Sequence, residues 1–206
     1  DYSQIELRVM AALGNIKGLK EVCSMDEDIH KATASKVFGV PVDAVSGEMR
    51  RKAKTVNFGI AYGISAFGLA ERLGCSRTDA KNFIEQFKKA FEGIDEYQNK
   101  EIQFAKENGY VVTVMNRRRY FPDINSSQVM LRKFSERAAI NASIQGSAAD
   151  LIKVAMNKVY DALKGKKTKI ILQIHDELVF KLYKPEAKEL MILIPKIMDS
   201  AMDDLL

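Results

Sequence analysis

Cysteine is scarce. The 206 residues hold only Cys23 and Cys75, far apart and outside any C-x-x-C pattern, which excludes a disulfide framework or zinc site and makes a reducing compartment the expectation. No run approaches the ~18 apolar residues of a membrane helix, and no basic and apolar leader opens the chain, so it reads as a protein that works in water. There is no internal repeat and no low-complexity linker, which points to one interlocked body. Gly165-Lys166-Lys167 lacks the upstream glycine and the Lys-Ser/Thr pair of a phosphate-cradling loop.

What is present supports a folded, basic protein. Hydrophobic residues make up 47% of the chain, enough for a core. Lys and Arg number 32 against 27 Asp and Glu, for a net charge of +5, a balance suited to a polyanionic partner. The cations cluster at Arg50 to Lys54, Arg117 to Arg119 and Arg132 to Arg137. A further group between Lys164 and Lys169 reads as a solvated turn.

Hydrophobic periodicity predicts a mixed, helix-rich α+β fold. Ser3 and Glu6 have capping-box spacing ahead of an apolar run from Ile5 to Leu13 that stops at Gly14. Further helices are expected from Ile29 to Phe38, from Ser65 to Gly74, from Ser76 onward, from Ile94 to Asn108, and from Val129 to Leu163 with a break near Ser143 to Gly146. Tyr110 to Met115 is β-rich and suits a hairpin. Lys169 to Ile174 and Leu178 to Leu182 form a second hairpin with His175, Asp176 and Glu177 at its tip, and Pro185 starts a last helix.

The stretch RRKAKTVNFGIAYG, from Arg50 to Gly63, has an unusual order. At about 100° per residue, Met49, Ala53, Val56 and Ile60 form an apolar stripe, while Arg50, Lys54, Phe58 and Tyr62 recur every fourth position on another face. A basic pair alone is ordinarily a solvated face. Two large aromatics following it are poorly used in water and suit a flat ligand, with phosphates on the cations and a sugar and base along the rings. Gly59 and Gly63 leave room for a close approach to the backbone.

Two acids draw attention at chain positions suited to chemistry. Asp1 precedes the first helix and Asp176 lies at the hairpin tip; alone, the first reads as a cap and the second as a turn former. Nothing in their spacing shows that they meet. Adjacent acids between strands that look buried are costly unless a cation neutralises them, and acids beside phosphate ligands suit magnesium.

Arg50-x-x-x-Lys54-x-x-x-Phe58-x-x-x-Tyr62-Gly63 resembles the nucleotide-binding motif in the fingers of DNA polymerase I type (family A) enzymes. DYSQIELR at residues 1–8 resembles that family's first palm motif, and QIHDELVF at 173–180 its last. RAAINASIQGSAAD at 137–150 is similar to its template and primer segment. The motifs occur in the family's order.

The resemblance implies a right-hand polymerase fold, with palm at 1–18, fingers at 19–130 and incomplete palm at 131–206. Thumb, amino-terminal palm strands and last strands would lie outside these residues, leaving the piece inactive alone. It implies template-directed DNA synthesis from deoxynucleoside triphosphates on a primer-template, by a monomer of a bacterial or phage-infected cytoplasm or of an organelle. Asp1, Asp176 and the Tyr2 carbonyl would hold two Mg2+ ions, with Glu177 as an auxiliary acid. Arg50, Lys54 and His30 would hold phosphates, and Lys54 would also protonate the departing pyrophosphate. Gln4 and Glu6 would sit beside the nucleotide, Glu6 filling the space of a ribose 2′-hydroxyl, with Phe58 and Tyr62 along it. Arg137, Asn141, Gln145 and His175 would touch DNA.

Asn116 stands where the family often has Gly, Ser143 where it often has Pro, and Lys181 where an acid is common. Two rival readings remain. A single-subunit RNA polymerase typically has Tyr at the Phe58 position, and a binding module without activity has no need of Asp1, Asp176 and Lys54.

Overall fold

In the computed structural model, residues 2, 4–24, 28–61 and 63–203 are described, Ala61 by its backbone only. The described elements are α1 (Ile5–Leu13), α2 (Lys17–Ser24), α3 (Ile29–Phe38), α4 (Gly47–Ala61), α5 (Ala66–Leu73), α6 (Arg77–Ala90), α7 (Ile94–Asn108), β1 (Tyr110–Val112), β2 (Arg118–Tyr120), α8 (Val129–Ala162), β3 (Lys169–Ile174), β4 (Glu177–Lys181) and α9 (Ala187–Asp199). Helix dominates, and each pair of strands makes its own antiparallel sheet. The α+β, helix-rich expectation holds.

Local chemistry sets most boundaries. Ser65 Oγ accepts from Gly68 N and Ser76 Oγ from Asp79 N, opening α5 and α6. Gly39 and Gly74 close α3 and α5 at φ +65° and +63°, where a Cβ would be strained. Ser3, half of the expected capping box, lies outside the described residues. Pro185 sits in a short 3₁₀ turn, Lys184–Glu186, just ahead of α9.

The expected break in α8 does not occur. Ser143 keeps the N–H that a proline would lack, and its hydroxyl donates to the Ile140 carbonyl at 3.0 Å. Gly146 has a packing role instead, since a Cβ there would lie 2.4 Å from Thr113 Cγ2 of the loop after β1. α2 was not anticipated. It is short and carries Gly18, but it buries Leu19, Val22 and Cys23, so tertiary packing overrides weak local preference.

The long α8 is the spine of the molecule. Ile140, Ile144 and Ala148 enter the large core shared with α1 to α7. Ala139 and Ala142 pack with Val111, Phe121 and Ile124 of the first hairpin region. Ile152, Ala155 and Val159 join Leu178 of β4 and Leu190 and Met198 of α9. Tyr2 packs against both the first and the third of these groups, so the start of the chain bridges them.

Candidate active site

α4 presents the two faces read from its sequence. Ala53, Val56 and Ile60 are buried and Met49 is half-buried, while Arg50 and Lys54 are exposed and Phe58 is half-buried. Tyr62 lies outside the described residues. The room at the glycines is used by the chain itself: a Cβ on Gly59 would lie 2.7 Å from Ile64 Cγ2, and one on Gly63, at φ +62°, would meet Arg137 Cγ at 3.4 Å.

Arg50 is engaged from α3. Its Nη2 and Nε lie 2.5 Å and 2.6 Å from Asp28 Oδ2, while Asp28 Oδ1 accepts from the backbone N–H of His30 and Lys31 as the N-cap of α3. Burial opposes ionisation of Asp28, but Arg50 and the two N–H groups outweigh it and hold the carboxyl below its usual range. His30 is only 4% exposed, with Nδ1 3.0 Å from Asn57 Nδ2 and its ring 6.0 Å from that of Phe58. Burial, the largest influence, combines with the Arg50 and Lys54 cations to pull its imidazole below the usual histidine range, against the opposing charge of Asp28.

At the other end of the chain, β3 and β4 meet in the register Ile174 to Glu177, which leaves His175 and Asp176 as a two-residue loop. His175 holds φ +50°, the left-handed conformation such a loop demands at its first position and one usually given to glycine. Gln173 Nε2 donates to the His175 carbonyl at 2.8 Å and braces it. The flanking strands are less buried than their sequence indicates: Ile171, Leu172 and Ile174 are exposed.

The start of the chain is tied to this loop. Tyr2 N–H donates to the Asp176 carbonyl at 3.1 Å, and Tyr2 Oη donates to the Met198 carbonyl at 2.7 Å. Gln4 follows at φ +54° and leads into α1. Between these segments opens a cavity of about 530 Å3 whose lining includes Gln4, Glu6, Phe58, Gln145, His175 and Asp176.

Four separate stretches of the sequence thus meet around one space. Arg50, Lys54, His30, Arg137, Asn141 and Glu177 are not among its lining residues, and Asp1 lies outside the described residues. Asn141 Nδ2 donates to Gln145 Oε1 at 3.2 Å, and Gln145 Nε2 reaches Glu6 Oε1 at 3.5 Å, linking α8 to α1. The basic cluster after β1 is used internally: Arg117 Nε pairs with the buried Asp150 at 2.5 Å, and Arg118 lies over the Tyr110 ring at 4.7 Å.

Among the described residues, no group of three or more His, Cys, Asp or Glu could hold a metal ion. Those at the loop, the half-buried carboxylates of Asp176 and Glu177 and the nearby backbone of Tyr2, offer oxygen donors. That donor set fits a hard cation such as Mg2+ rather than zinc or copper.

Sequence reasoning missed Asp28, Asn57, Thr33 and Lys153. Lys153 lines the cavity and continues the every-fourth-residue series Arg137, Asn141, Gln145, Ala149 on α8, a signal that was available. Asn57 was legible too, as a polar residue about 40° from Ala53 on the helical wheel and so beside the core stripe.

Known proteins resemble this chain along nearly its whole length. The sequence model of DNA polymerase family A matches residues 1–205. The chain belongs to that family. It is 48% identical over 204 residues to DNA polymerase I of Bacillus subtilis (strain 168), covering 98% of this chain and 23% of that protein. It is 47% identical over 203 residues to DNA polymerase I of Bacillus caldotenax, again spanning 23% of its length. Among solved structures, the POL domain of Pol1 from M. smegmatis in complex with DNA primer-template and dNTP superposes with a TM-score of 0.92 at 46% identity, over 98% of this chain and 36% of that one.

Within the family A fold, two of the departures have a local account. Asn116 adopts φ +58° in the turn between β1 and β2, a conformation asparagine tolerates where glycine is usual. Ser143 bonds to Tyr97 Oη at 3.0 Å inside the core. Lys181 ends β4 at the surface, and nothing in the structure explains it.

Proposed function

We propose that these residues supply the fingers (19–130) and part of the palm (1–18 and 131–206) of an enzyme that copies a DNA template by adding deoxynucleotides to a primer 3′-end with release of pyrophosphate. The bond from Tyr2 N to the Asp176 carbonyl carries the reading, because it ties the first acidic motif to the last at the wall of a cavity that Phe58 and Gln145 also line.

Arg50 and Lys54 bind the triphosphate through charge-assisted hydrogen bonds, and His30 adds a contact to it. Phe58 packs against the sugar, and Tyr62 is the second aromatic of the same motif. Glu6 and Gln4, at the start of α1, bound the sugar on its other side, and Glu6 excludes a 2′-hydroxyl. Gln145, Asn141, Arg137 and His175 orient the primer-template.

Asp1, Asp176 and the Tyr2 carbonyl hold two Mg2+ ions, with Glu177 beside them. Ions bound there supply charge neutralisation and a more acidic primer hydroxyl. Lys54 donates a proton to the leaving pyrophosphate oxygen, where negative charge accumulates.

Primer extension by a full-length polymerase carrying these 206 residues tests the reading. The expected product is dictated by the template and made from deoxynucleotides in strong preference to ribonucleotides. Equal use of both sugars would favour an RNA polymerase, and the absence of template-dependent extension would favour a binding module.

A further inference from the structure

The side chains of His30, Thr33 and Asn57 form a buried chain of hydrogen bonds whose proton positions follow from its geometry. Thr33 Oγ1 donates its one proton to the Ile29 carbonyl at 2.6 Å, a much shorter contact than the 3.2 Å to Asn57. Thr33 can therefore only accept from Asn57, so the amide must turn its NH2 group toward it. That same NH2 lies 3.0 Å from His30 Nδ1, which then carries a lone pair and leaves the ring proton on Nε2. A flipped amide could accept from a protonated Nδ1, but it would set its oxygen against the threonine oxygen, whose one proton is already given to Ile29.

Neither His30 Nε2 nor Asn57 Oδ1, both buried, has a hydrogen-bond partner among the described residues. A buried donor without a partner is costly, and this one stands in the charged surroundings of Arg50, Lys54 and Asp28.

Resting on the nucleotide-binding reading above, we propose that Asn57 is a positioning residue that fixes His30 in the Nε2–H tautomer, so that the ring offers the triphosphate a neutral hydrogen-bond donor and never a lone pair. The ring is covered here, so contact with a phosphate requires the side chains over it to move. The fixed tautomer means that no proton shift is needed when they do. A bare Nε2 would repel phosphate oxygens; the amide of Asn57 prevents that form without touching the ligand.

The tautomer is read directly by 15N NMR of the histidine-labelled chain, which has two histidines, with His175→Gln assigning the signals. Wild type is expected to show one form, protonated at Nε2. Asn57→Asp keeps the shape but puts an acceptor at Nδ1, so the neutral ring should carry its proton there. In a full-length polymerase carrying this segment, that variant should raise the deoxynucleotide KM by roughly tenfold or more above the His30 titration, the scale of one hydrogen bond to a charged group. Kcat should change less.

As pH falls and the ring in Asn57→Asp gains its second proton, Nε2–H returns and the KM should recover, which a merely structural defect does not produce. Asp28, Arg50 and Lys54, the charged groups that act on the ring, are common to both proteins. Thr33→Val, which frees the amide to rotate, should give mixed tautomers if the aspartate variant does not fold. A wild-type ring protonated at Nδ1 overturns the proposal, as does an unchanged KM in Asn57→Asp. If Lys54→Ala still abolishes nucleotide use in that case, the site assignment stands without it; if it does not, the site assignment itself has failed.

Discussion

The backbone N–H of Tyr2 donates to the carbonyl of Asp176 at 3.1 Å, and the same residue's hydroxyl donates to the Met198 carbonyl at 2.7 Å. One residue thus joins the start of the chain to the acidic loop and to the end of α9. Tyr2→Phe keeps the ring and the backbone bond but removes the hydroxyl's bond to the Met198 carbonyl, which still accepts from the Ala201 N–H. It should destabilise the protein by about 1 kcal/mol in urea unfolding. No loss would show that the hydroxyl bond does not hold the two ends together.

Asp28 pairs with Arg50, so if Arg50 binds the triphosphate as proposed, the two compete for the guanidinium. Asp28→Asn retains an N-cap for α3 but removes the charge facing the guanidinium. Because the pair is partly exposed, the expected effect is modest, a fall in deoxynucleotide KM of roughly two- to fivefold with little change in kcat. A raised KM would mean that Asp28 instead aims Arg50 at the phosphates.

Phe58 lines the cavity with a ring that has no polar group. If it faces the sugar, the nucleotide's own 3′-hydroxyl satisfies the geometry there, and a dideoxy analogue loses that interaction. Phe58→Tyr restores a hydroxyl and should relax discrimination against dideoxynucleotides by tens-fold or more, as expected for one hydrogen bond to a charged group. An unchanged ratio of dideoxy to deoxy incorporation would show that the ring does not face the sugar.

His30 also has a stability signature. Its folded-state pKa lies below the ordinary 6.5, so the unfolded chain binds the proton first and folding favours the neutral ring. Stability from this group is complete above pH 6.5 and is lost as pH falls from there through the folded-state value. Melting temperature should drop across that window in wild type and drop less in His30→Gln. Asp28, whose folded pKa is also lowered, adds its loss only in the more acidic carboxylate range. Parallel profiles for wild type and His30→Gln would contradict the burial account.

Much of this was legible in the sequence because single residues carry strong local rules. Gly39, Gly74, Ser65 and Ser76 mark helix ends with chemistry that needs no tertiary information, and the alternating faces of α4 follow from helical periodicity alone. The gathering of Gln4, Phe58, Gln145 and Asp176 around one cavity was not legible from spacing, because only tertiary packing along α8 brings them together. The unbroken α8 turned on Ser143, which keeps the backbone N–H that a proline there would lack. Asp28 was overlooked because its partner Arg50 lies on another helix.

The central claim is that Asp176, with Asp1 at the other end of the chain, does the chemistry while other residues hold the DNA. Single-turnover extension and primer-template affinity, measured together for Asp176→Ala and Asp1→Ala in a full-length polymerase carrying this segment, test it most directly. The account predicts loss of nearly all extension in both variants with primer-template affinity largely kept, since phosphate contacts supply affinity. Near-normal extension by either variant would contradict it.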